Sequence, residues 1–197
     1  MANKLLIVRL VIVFSLLFIS KLTFPQFPEP IFEHLTIADG LPENSVRCIL
    51  QDHLGYMWFG TQNGLVKYDG YDMKVYQPIS GDSLSISDRQ IYALYEDDSG
   101  TLWIGTLNGG LNRFDRKTET FIHYMNKPDD STSINSNRVY TIYEVNKDNI
   151  LIGTNEGLNL FNRQTKNFRR IYYQDSLKSA LPNYKVCLLY TSPSPRD

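Results

Sequence analysis

The stretch Val46-Arg-Cys-Ile-Leu-Gln-Asp52-His-Leu-Gly55-Tyr-Met-Trp58-Phe-Gly60-Thr61 decides how this chain folds, because it returns twice with its spacing intact. The second copy is Ile91-Tyr-Ala-Leu-Tyr-Glu-Asp97-Asp-Ser-Gly100-Thr-Leu-Trp103-Ile-Gly105-Thr106. The third is Val139-Tyr-Thr-Ile-Tyr-Glu-Val-Asn-Lys-Asp-Asn-Ile-Leu151-Ile-Gly153-Thr154. In every copy 14 residues separate the opening β-branched residue from the glycine of the Gly-Thr pair, and the copies start 45 and 48 residues apart. A period of that length marks an array of small units, each burying its faces against its neighbours.

Each unit divides into four short segments with turn residues between them. The first covers 46–51, 91–96 and 139–144; the second 56–61, 102–106 and 150–154. The third covers 65–69, 111–115 and 158–162, and the fourth 73–77, 120–124 and 167–172. Asn63-Gly64, Asn108-Gly109 and Glu156-Gly157 are hairpin signals, since tight primed turns need positive φ at these positions. The first segment is apolar on both faces, with Val46, Cys48 and Leu50 on one side and Ile49 on the other. That pattern suits a strand covered by sheets on both sides. Its third residue is small each time (Cys48, Ala93, Thr141), as the crowded inner strand of a radial array requires.

These features predict an all-β fold: a partial β-propeller occupying residues 31–186, with four-stranded blades at about 45–78, 90–125 and 138–173. Residues 31–37 read as a closing strand that pairs with the last blade of a ring. Residues 183–186 begin a further copy, but residues 187–197 abandon the pattern for Ser192-Pro-Ser-Pro, which no central strand accepts. The expectation is a chain cut short before its ring is complete.

Composition sets the outer limits. The chain has 197 residues, 42% of them hydrophobic and 13% aromatic, enough to bury a core. Its 20 basic and 21 acidic residues nearly cancel, so no general charge favours nucleic acid. Two cysteines, Cys48 and Cys187, do not make a disulfide framework. Lys4 and Arg9 precede the apolar run at residues 10–19, which is too short to span a bilayer and fits a secretory signal over residues 1–22. Residues 23–30 read as a proline-rich linker. The expected location is therefore exported.

No catalytic, cofactor-binding or metal-ligating set stands out. Trp58 and Trp103 could present flat faces to a sugar, but their fixed repeat positions favour core packing. Asp52, Asp97 and Asp98 precede the Trp strand, and recurrence at one place fits a turn aspartate bonding its own backbone better than a unique acid–base pair. His34, His53 and His123 lack ligand spacing. Gly105-Thr-Leu-Asn-Gly-Gly110 has no Lys-Ser/Thr and is no phosphate loop. Arg169-Arg170 and Arg113-Phe-Asp-Arg-Lys117 read as solvated strand and turn charges. Asp52, Gly55, Trp58, Gly60, Thr61, Gly64, Asp97, Gly100, Trp103, Gly105, Thr106, Gly109, Gly153, Thr154 and Gly157 are read as structural repeat positions. The variable connectors at 82–88, 127–137 and 175–183 are the places to look for a ligand, because sites favour loops.

The phrases Gly40-Leu-Pro-Glu-Asn-Ser-Val46, Asp97-Asp-Ser-Gly-Thr-Leu-Trp103-Ile-Gly-Thr106 and Gly110-Leu-Asn-Arg-Phe-Asp115 resemble the two-component regulator propeller repeat. The resemblance covers roughly residues 31–186. It implies the periplasmic sensor region of a Bacteroidetes-type hybrid two-component histidine kinase, a homodimer anchored in the membrane through its parent. It further implies an oligosaccharide ligand; the kinase, receiver and DNA-binding segments of such parents are absent from this sequence. Rival expectations are a fragment of a secreted propeller glycosidase or lyase, and a non-catalytic interaction scaffold. Asp98-Ser-Gly100-Thr-Leu-Trp103 also resembles the Asp-box of sialidases, a folding element in which Glu96 and Leu102 replace the usual Ser and Thr. The third copy departs from the repeat, with Asp148-Asn149 and Leu151 at its turn and Trp positions.

Overall fold

The computed structural model describes residues 32–171. The expected signal, linker, third connector, fourth copy and tail, with Cys187, lie outside the described residues. Twelve strands run in chain order: β1 Val46–Gln51, β2 Met57–Thr61, β3 Leu65–Tyr68, β4 Met73–Tyr76, β5 Ile91–Glu96 and β6 Leu102–Thr106. The rest are β7 Leu111–Asp115, β8 Thr120–Tyr124, β9 Val139–Asn146, β10 Asn149–Thr154, β11 Gly157–Asn162 and β12 Phe168–Ile171. They form three antiparallel four-stranded meanders, β1–β4, β5–β8 and β9–β12. The first strands lie side by side, β1 against β5 and β5 against β9. The described residues form a partial propeller of three blades.

Two apolar layers hold the blades together. Between the first two sit Trp58, Leu65 and Tyr76 from one side and Ile91, Leu102, Ile104, Phe114 and Phe121 from the other. Between the last two sit Trp103 and Leu111 against Val139, Ile142, Ile150, Ile152, Phe161 and Phe168. Alternation along each strand sends odd and even side chains to opposite faces, so the middle blade serves both layers.

The Gly-Thr pair has a separate cause for each residue. A Cβ on Gly60 would stand 2.8 Å from Ile91 Cγ2, and one on Gly105 would stand 2.7 Å from Val139 Cγ1. The opening β-branched residue of the second and third blades thus packs into a hole left by the previous blade's glycine. Gly105→Ala is therefore expected to lower stability by about 1–3 kcal/mol through overpacking. Chemical denaturation checks this, and a shift under about 0.5 kcal/mol, the range of an ordinary surface change, would contradict it. The threonine fastens the hairpin: Thr61, Thr106 and Thr154 are fully buried and donate to the carbonyls of Gly64, Gly110 and Gly157.

Four expectations change. First, the left-handed glycine of the second hairpin is Gly110 (φ 73), matching Gly64 (φ 138) and Gly157 (φ 111), because that loop is one residue longer. Gly109 is needed instead for close approach to Ser87. Second, Ile49 is 60% exposed, and Val46 packs with Leu41, Phe59 and Val66 while Cys48 and Leu50 join the first seam, because the register steps between Val46 and Cys48; no described sheet packs beyond the Val46 side. Third, residues 32–36 form no strand and Ile37–Asp39 is a 3-10 turn capped by Thr36. A strand needs a ladder partner, and β4, β8 and β12 already fill the outer place of every described sheet. Fourth, Arg116 and Arg170 are not solvated charges, as described next.

Candidate functional site

Each blade has two ends. One gathers the turn after its first strand and the turn after its third. There Asp52 lies almost wholly buried; its Oδ1 accepts from the N–H groups of Leu54 (3.0 Å) and Tyr56 (2.9 Å), and its Oδ2 from the Trp58 indole N–H (2.8 Å). Asp97 repeats this, taking bonds from the Ser99 and Thr101 N–H groups and from the Trp103 indole at 2.7 Å. Gly55 (φ 89) and Gly100 (φ 77) turn the chain between acceptor and donor strand. The aspartate shapes the turn and orients the indole, and both of its carboxylate oxygens are engaged.

An arginine from the next blade completes each site. Arg116 donates to Asp52 Oδ2 (2.7 Å), to Glu96 Oε1 (2.6 Å) and to the Gly100 carbonyl (2.9 Å). Glu96 then accepts from the His53 N–H at 2.8 Å, and its carboxylate meets His53 Nδ1 at 2.6 Å. Across the second seam, Arg163 pairs with Asp97 (3.0 Å) and Glu144 (2.7 Å), while Glu144 accepts from the Asp98 N–H. Both seams are thus clamped by one pattern: aspartate and N–H group on one blade, arginine and glutamate on the next.

Burial pushes the Asp52 carboxyl up, but the bonds from Trp58 and Arg116, the Arg116 charge and the Tyr56 N–H outweigh it and hold the carboxyl below its usual value. For Asp97, burial again raises and the bonds from Ser99, Trp103 and Thr101 with the Arg163 charge lower it further. A depressed folded value means the stabilisation is present above the unfolded carboxylate value and is lost as pH falls through the folded one. Thermal unfolding is therefore expected to hold steady near neutrality and drop below about pH 4. Asn at both positions should lower the neutral melting temperature and flatten the acid limb; an unchanged acid limb would contradict the assignment.

The opposite end joins hairpin turns and connectors. Ile86 and Ile134 plug into the core, and beside them Ser87 bonds Asn112 and the Gly109 carbonyl while Asn135 bonds Asn159, Thr154 and the Glu156 carbonyl. Arg170 is a connector clamp, donating to the carbonyls of Asp130 (3.0 Å) and Ser133 (3.3 Å); His123 meets the Ser85 carbonyl in the same way. Of the two proposed ligand connectors among the described residues, the halves nearer the next blade are anchored. Leu84 remains exposed in the first, as does Ile79 just before it. A shallow recess lined by Tyr56, Lys67, Asp69, Asp72, Met73 and Lys74 opens beside the first seam, and Glu119 already pairs with both of its lysines. Among the described residues no group of three His, Cys, Asp or Glu could hold a metal ion, and no helix is long and apolar enough to cross a membrane.

Comparison with known proteins agrees with this architecture. The family model described as two-component regulator propeller matches residues 40–63 and 85–108, so the first two blades carry that repeat. The extracellular domain assigned to the hybrid two-component system BT3049 of B. thetaiotaomicron is 30% identical, with a TM-score of 0.70, over 79% of this chain and 22% of that one. A second extracellular domain from that organism, assigned to the one-component system BT4673, is 25% identical with a TM-score of 0.62 over the same shares. Histidine kinase P4 of Formosa agariphila is 44% identical over 77 residues, which are 39% of this chain and 6% of the kinase. The chain thus spans a small part of each relative. Virginiamycin B lyase of Staphylococcus aureus, 15% identical with a TM-score of 0.51, shares the fold.

Proposed function

We propose that this chain is an extracytoplasmic, ligand-sensing propeller segment of a two-component signalling receptor, responding to glycan-derived oligosaccharides. The observation that carries the reading is the likeness of its three blades to the extracellular domain assigned to BT3049. Its role is binding rather than catalysis, since Asp52, Asp97, Glu96 and Glu144 are engaged in turns and seams. Residues 1–22 direct export, placing the blades on the periplasmic side of the inner membrane, and a further membrane anchor belongs to the parent. The remaining blades and a second copy of the receptor are its partners.

Ligand at the connector end stabilises one arrangement of the receptor dimer over another, and the shift is bounded by the ligand's differential affinity for the two. Two measurements test this. The coding sequence downstream of the blades should continue into a membrane span and a kinase core; a secreted chain lacking both overturns the receptor reading. In cells carrying the complete gene, a transcriptional reporter should respond to particular oligosaccharides, and silence toward every glycan removes the sugar ligand.

A further inference from the structure

The edge where β1, β5 and β9 lie side by side carries a set of contacts distinct from the aspartate–arginine clamps. In each first strand the register steps over one residue: Val46 faces Thr61 but Cys48 faces Gly60, Ile91 faces Thr106 but Ala93 faces Gly105, and Val139 faces Thr154 but Thr141 faces Gly153. The residues left over are Arg47, Tyr92 and Tyr140. A bulge repeated at one position re-aims a side chain out of the regular pleat, and such bulges gather at functional sites. Here they bring three blades' side chains into one run: the Arg47 guanidinium lies 4.5 Å from the Tyr92 ring centre, and Tyr92 meets Tyr140 edge to face at 5.7 Å.

The adjoining residues share a charge pattern. Arg89 and Arg138 stand two and one residues before β5 and β9, where the connectors end. Residues 44–47, 89–92 and 137–140 therefore hold one arginine per blade and no acidic residue. Among the described residues none of these three arginines has a carboxylate within ion-pair distance, unlike Arg116 and Arg163. Arg47 is also exposed.

We infer that the Arg47–Tyr92–Tyr140 run is a binding track for an acidic oligosaccharide bearing carboxylate or sulfate groups, with Arg89 and Arg138 leading into two of the strands that carry it. The inference rests on the glycan-sensing reading above and names the ligand class. Tyrosine rings suit the apolar C–H faces of sugar rings. Guanidinium forks match carboxylate and sulfate with paired, charge-assisted bonds. Each described blade contributes one arginine within two residues of the opening residue of its first strand. A nucleic acid fits less well, because phosphate tracking calls for a broad basic surface and this chain has net charge −1.

Isothermal titration of the full chain with tetragalacturonate, a sulfated chondroitin tetrasaccharide, cellotetraose and an oligothymidylate tests the track. At least one acidic saccharide should bind, cellotetraose should bind at least about tenfold more weakly, and added salt should weaken the acidic complex. Arg47→Gln should lower acidic-probe affinity about tenfold without changing the melting temperature. Tyr92→Phe, which keeps the ring, should retain binding that Tyr92→Ser loses. Equal binding of cellotetraose, binding of the oligothymidylate alone, unaltered affinity in Arg47→Gln, or no acidic saccharide bound would each overturn the proposal. If the cellular reporter answers a glycan while the Arg47→Gln receptor answers identically, the track falls and the receptor reading stands.

Discussion

Arg116→Met is expected to cost about 3–5 kcal/mol of folding stability, because removing one partner of a buried ionic cluster strands the others. The stranded groups are Asp52, whose side chain is 0% exposed, and Glu96, at 12%. Methionine keeps most of the arginine stem in the seam, so the loss isolates charge rather than packing. Folded domains hold only about 5–15 kcal/mol in total, so the effect should appear as a large drop in the urea midpoint. Adding Glu96→Gln should recover part of the loss, since the seam then contains one unpaired carboxylate instead of two. Arg169→Met, at an exposed position of β12, is the control and should stay within about 0.5 kcal/mol. A cost below about 1 kcal/mol for Arg116→Met would mean that solvent screens the clamp as it does surface pairs.

The clamp has a direction written in the sequence. Its aspartate half belongs to the earlier blade, and its glutamate and arginine half to the later one. The first blade has Gln51 and Gly70 at the glutamate and arginine places, while the third has Val145 and Leu151 at the aspartate and tryptophan places. The loss of both members together is consistent, for an unpaired Asp or Arg in an apolar seam would be costly. Where the motif lapses in the third copy the turn forms by other means, with Asp148 and Asn149 bonded to Asn146.

Much of this fold was legible from residue spacing, because the forces that set it are local or recur at fixed distance. Strand boundaries agree within about two residues, since a five-residue strand between turn signals leaves little freedom. The Gly-Thr pair was visible as a marker, but its cause was not: the glycine answers to Ile91 or Val139 in the next blade, a contact between positions 31 and 34 residues apart. Arg116 looked like a turn charge because its partners sit 64 and 20 residues upstream. Gly109 was chosen over Gly110 because a one-residue lengthening of a hairpin leaves no local signal of which glycine turns left-handed. The Arg47–Tyr92–Tyr140 run escaped for a related reason: a bulge is a fact of pairing, invisible until the partner strand is known.

Trp103→Ala should match the arginine variant in size, at about 3–5 kcal/mol, and should separate the two seams. The indole is buried between the second and third blades, edge-on to Phe161 at 5.5 Å and tilted against Tyr124 at 6.1 Å. Alanine leaves a cavity between two sheets whose β-ladders resist collapse, and Asp97 loses its indole donor. Trp103→Phe separates these effects: it fills most of the space and forfeits only the N–H, for about 1–3 kcal/mol. Both variants retain Trp58 as the single tryptophan, a probe confined to the other seam. In stacked repeats stability is close to a sum of unit and neighbour terms, so a wound at one seam need not open the other. Trp103→Ala is accordingly expected to show circular dichroism falling at lower urea than Trp58 fluorescence, the third blade parting while the first pair holds. Coincident transitions would mean that the three blades unfold as one cooperative body, and that neighbour terms here exceed what either clamp or indole contributes.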